Sequence, residues 1–103
     1  MQRETANGFR QCGLVLPLDA LGRKSEADQA LALAERDLAG KKAYLIALIY
    51  ATRKAPDQAF TWLERALRQR DGDLLFIEGD PMISNLLPDP RFQIFMQEMQ
   101  HAR

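Results

Sequence analysis

Side chains able to do chemistry are few and scattered in this 103-residue chain. His101 is the only histidine and stands two residues from the end of the sequence, a place for a frayed surface side chain rather than a ligand or general base. Cys12 is the only cysteine, so no intramolecular disulfide can form. It has no fixed base nearby in sequence and reads as a small, half-buried apolar residue rather than a nucleophile. There is no Gly-rich phosphate loop, no Cys-x-x-Cys pair and no His-Glu-x-x-His. The acids fall on helix exteriors and caps, where charge is usually just solvated. The expectation is a protein without catalysis, metal or cofactor.

Charge narrows the partners. Lys plus Arg and Asp plus Glu both number 14, giving a formal net charge of zero. Nucleic-acid binding draws on a basic face that releases counterions from phosphate, and only Arg65, Arg68 and Arg70 lie close together. Arg68 and Arg70 also flank a helix C-terminus, where cations suit the dipole. No apolar run approaches the ~20 residues of a membrane span. The short run from Cys12 to Leu18 is interrupted by Pro17 and lacks the flanks of a leader. Neither nucleic acid nor membrane is expected as a partner, and the expected location is the cytoplasm.

The elements that would position a surface are helical. Residues 1–8 are polar, carry the Asn7-Gly8 turn signal and read as a flexible tail. Ser25, with Asp28 three residues on, is a candidate N-cap for a helix burying Ala27, Leu31, Ala34 and Leu38, and Gly40 ends it. A helix from about Lys41 to Lys54 is apolar almost all round, as expected of one packed on two sides. Pro56 opens the next, which turns Ala59, Leu63, Ala66 and Leu67 inward and closes at Asp71-Gly72. Leu74 to Ile77 reads as a short helix. Asp80-Pro81 and Asp89-Pro90 each pair an N-cap with an N1 proline, and the second helix buries Phe92, Phe95, Met96 and Met99. Trp62 could anchor a partner but reads rather as packing beside Phe60 and Leu63.

Two segments repeat. Ala27, Leu31 and Ala34 align with Ala59, Leu63 and Ala66 at an offset of 32 residues, near the ~34-residue tetratricopeptide period. Ile46, Ala47 and Tyr50 on one helix, and Ala59, Leu63 and Ala66 on the next, resemble that family's large, small and aromatic pattern. Ala43, Asp71 and Pro17 depart from it. In the first unit, a helix from about Phe9 to Leu21 would use Leu14, Val15 and Leu18, kinked or split at Pro17. Ala59-Phe60-Thr61-Trp62-Leu63-Glu64-Arg65-Ala66, with Asp80-Pro81, Leu86-Leu87 and Asp89-Pro90-Arg91-Phe92, resembles the C-terminal end of bacterial tetratricopeptide arrays.

The resemblance implies an all-α fold: a right-handed α-solenoid fragment of about two antiparallel helical hairpins over 9–72, with a C-terminal capping helix in 73–103. It implies a concave groove built from Lys41, Tyr44, Leu48, Ala51 and Thr52 in the second unit, and from Phe9, Cys12, Leu16, Asp19 and Ala20 in the first. Tyr44 and Leu48 are expected to stand free of the core as anchors for an apolar peptide or helix. The function so implied is a non-catalytic protein-interaction module of unidentified protein or peptide partner. The alternative is a structural or homodimerising end-piece of a larger bacterial regulator, cyclase or kinase, since about three repeats are usually needed for stable stacking.

Overall fold

The computed structural model describes residues 2–102, with side-chain surroundings given for residues 10–101. Five α-helices, α1 (Gln2–Ala20), α2 (Lys24–Leu38), α3 (Ala43–Thr52), α4 (Pro56–Gln69) and α5 (Pro90–Ala102), are joined by two 3₁₀ helices, η1 (Gly72–Gly79) and η2 (Pro81–Leu86). No strand occurs among the described residues. The short connections force α1 against α2 and α3 against α4 as hairpins, and α3 is the shared centre that touches both hairpins, η1 and η2.

The helix ends repeat as the alanines do. After α1, Gly22 takes the left-handed conformation (φ 77°), with Arg23 N–H donating to Leu18 O and Gly22 N–H to Asp19 O. After α3, Lys54 does the same (φ 60°), with Ala55 N–H donating to Tyr50 O and Lys54 N–H to Ala51 O. Both are Schellman closures, which satisfy carbonyls that the helix leaves open. Gly22 and Lys54 are 32 residues apart, the offset of Ala27 and Ala59. Arg70 (φ 56°) closes α4 in the same way.

Several local expectations change. The stretch read as a polar tail is helical from Gln2, and α1 runs unbroken through Pro17. Pro17 lies near the end of α1 and costs the helix only one donor. Ser25 does not cap α2. Arg23 holds the cap position without a side-chain bond, and its guanidinium pairs with Glu26 one turn on. Leu14 is 44% exposed, whereas Ile46, its equivalent 32 residues later, is fully buried. Ile46 packs among Val15, Ala27, Leu31 and Leu38 of the α1–α2 hairpin.

The C-terminal third follows its sequence signals closely. Asp80 and Asp89 accept the N–H groups of Met82 and Arg91, both at 2.9 Å, which starts η2 and α5. Phe92, Phe95 and Met99 of α5 are buried with Leu63 of α4, Leu74 and Ile77 of η1, and Ile83 and Leu86 of η2. A second core holds Val15, Ala27, Ala30, Leu31, Leu38, Ile46 and Ile49. Leu45, Tyr50 and Trp62 lie half-buried against both cores, which gives Trp62 a packing role.

Candidate interaction groove

A trough runs between α1 and η2 with α3 as its floor. One section, about 390 Å³, is lined by Cys12, Gly13, Leu16 and Pro17 of α1, Leu45, Leu48 and Ile49 of α3, and Met82 of η2. A second lies between Leu16, Thr52, Pro81, Met82, Ser84 and Asn85. A third shares Leu16 and Thr52 with the second and opens beside Asp19, Ala20, Gly22, Lys24 and Arg53. Leu16 borders all three sections and is half-buried, so it is the central side chain. Along α1 the trough spans Cys12 to Ala20, roughly 12 Å at helical rise.

Local bonding fixes these walls. Arg53 grips Asp19 with two bonds, at 2.8 and 3.0 Å, and Asp28 at 2.9 Å, tying the end of α3 to both helices of the first hairpin. The two carboxylates hold the guanidinium above its ordinary pKa, and Asp19 contributes most. Asn85 of η2 donates its amide to Ala51 O at 3.0 Å, adding a side-chain bond to a carbonyl that already accepts Lys54 N–H. Thr52 turns its hydroxyl back onto Leu48 O at 3.0 Å.

The structure brings together Cys12, Leu16, Asp19, Ala20, Leu48 and Thr52 of the expected groove and separates the others. Lys41 is exposed in the turn before α3, away from the trough linings. The Phe9 side chain lies outside the described residues. The expectation that Tyr44 and Leu48 stand free does not hold: they are 2% and 6% exposed, and Ala51 is fully buried. The cause is cover from the C-terminal third. Tyr44 donates its hydroxyl to Asp80 Oδ2 at 2.9 Å, and η1 and η2 close over that side of α3. Leu48 survives only as floor.

Two features had no clear sequence signal. Asp80-Pro81 announces a helix start, but nothing nearby says that Met82 and Asn85 will form the third wall. Arg53 looks like an ordinary surface cation in the sequence, and its partners lie 34 and 25 residues back.

The site holds no activated group. Burial pushes the Cys12 thiol above its ordinary pKa, away from thiolate character. Among the described residues no cluster of three His, Cys, Asp or Glu could hold a metal ion, and no helix is long and apolar enough to cross a membrane. Comparison with known proteins finds no matching family model, no matching curated protein and no matching solved structure.

Proposed function

We propose that this chain is a non-catalytic protein-interaction module of the tetratricopeptide type, whose trough takes an apolar face of a partner's helix. The observation that carries this reading is the convergence of α1, α3 and η2 on one apolar depression centred on Leu16. The repeated helix ends at Gly22 and Lys54 support an assignment to two stacked hairpins with a C-terminal cap, a fragment of a right-handed α-solenoid. A trough of this length holds about eight helical residues, just enough for anchors at i, i+3, i+4 and i+7. The resemblance to bacterial arrays adds a bacterial, cytoplasmic setting to the proposal.

The experiment is a capture from host extract by the whole chain and by a Leu16→Glu, Met82→Glu variant. Both side chains are half-buried at the trough, so the variant is expected to keep its helical signal and melting temperature. A protein held by the wild type and lost by the variant supports the reading. Equal capture by a folded variant refutes it.

A further inference from the structure

A second surface lies on η1, away from the trough. A 3₁₀ helix has three residues per turn, so residues i and i+3 share a face. Leu74 and Ile77 form the buried face of η1. Leu75 and Glu78 form an exposed face, with Phe76 beside them. Leu75 and Phe76 are 71% and 69% exposed, with Leu21 the highest values among the large apolar side chains of the described residues. Next to this ridge is a hollow of about 640 Å³ lined by Leu67, Arg70, Asp71, Gly72, Leu74, Leu75 and Met99.

The charges on the ridge are complementary. Arg70 at the hollow and Glu78 one turn beyond Leu75 are both exposed, and neither forms an ion pair among the described residues. Asp71 in the hollow does not take Arg70 as a partner: its two oxygens accept the N–H groups of Tyr44 and Asp73. The surface therefore carries a knob, a hollow, a cation and an anion, which is what a two-fold contact requires of a single patch.

We propose that this ridge is an isologous interface between two copies of the chain. Phe76 of one copy enters the hollow of the other, and Arg70 pairs with the opposite Glu78 across the axis. An aromatic side chain contributes roughly 150–250 Å², and a contact built on one such ridge per copy falls at or below the ~1,200 Å² lower bound of stable complexes. The association is accordingly weak and concentration-dependent. It uses no residue of the trough, so it stands or falls separately from the proposed function.

The test is the molar mass of the full chain by sedimentation equilibrium from low-micromolar to millimolar concentration. The mass should rise from one chain toward two. Phe76→Ser should hold it at one. Arg70→Glu and Glu78→Arg should each weaken association at least several-fold, and the two together should restore it, with melting temperatures recorded for all. A wild type that stays monomeric throughout overturns the proposal, even if it binds an acidic peptide at Arg70. So does a folded double variant that associates no better than either single one.

Discussion

The Asp71 carboxylate accepts the backbone N–H of Tyr44 at 3.2 Å, across 27 residues of chain. Tyr44 is in the first turn of α3, whose own cap residue, Lys42, supplies no side-chain bond. Asp71 thus caps α3 from outside, at the end of α4, while its other oxygen accepts Asp73 N–H and opens η1. Asp71 is itself buried, 7% exposed.

Asp71→Ala should therefore cost about 2–3 kcal/mol, because it removes a helix cap and leaves two N–H groups short of a partner. Asp71→Asn keeps one acceptor oxygen and should cost about half as much. Chemical denaturation of the three proteins checks this. Equal stability of the alanine variant and the wild type would mean that the buried carboxylate contributes nothing.

Alkaline pH should unfold the protein through its tyrosines. Burial, then the bonds to Asp80 and Glu35, raise Tyr44 and Tyr50 well above the ordinary phenol value. The unfolded chain gives up these protons first, near pH ~10. Stability is thus fully present below that pH and falls as pH rises beyond it. Tyr44→Phe should flatten this decline while lowering stability at neutral pH. Melting temperature against pH for both proteins measures it; parallel curves would count against a buried, proton-holding Tyr44.

Small residues let the helices of the second hairpin approach. Ala47 and Ala59 are almost fully buried in the same core. Ala47→Leu or Ala59→Leu should overpack the contact and cost about 1–3 kcal/mol. Unchanged melting temperatures in both would place these alanines away from a helix crossing.

The alanine spacing was readable because it is local and periodic, and so were Asp80-Pro81 and Asp89-Pro90, where each cap lies within two residues of the N–H it binds. Tyr44 and Leu48 were misread for the opposite reason. Their cover comes from η2 some 36 residues on, as the Tyr44–Asp80 bond shows, and helical period says only that α3 is apolar on many sides. Pro17 was read as a break because proline disfavours a helix interior. Its cost is limited by its place near the end of α1. Of the ten groove residues implied by the family resemblance, six line the trough; the wall contributed by η2 had no such signal.

Arg53 joins α3 to Asp19 and Asp28. Arg53→Met should cost about 1–3 kcal/mol, since it leaves two carboxylates unpaired at a partly buried site. Arg53→Lys should recover only part of this, because an ammonium cannot reproduce the fork that grips Asp19 at two points. Thermal melts at low and high salt check both; a wild-type melt indifferent to either change would make the cluster decorative.

The division of the interior into two cores, both of which take buried side chains from α3, has a consequence for motion. The α1–α2 hairpin meets the rest of the fold chiefly through Ile46, Ile49 and Arg53, so its amides can exchange with solvent by opening of that unit while α3, α4 and the C-terminal helices stay closed. The trough follows the seam along which such an opening occurs. A segment seated there touches both sides of the seam and acts as a latch: it slows exchange in α1 and α2, many residues of which it never contacts, and leaves α5 as it was.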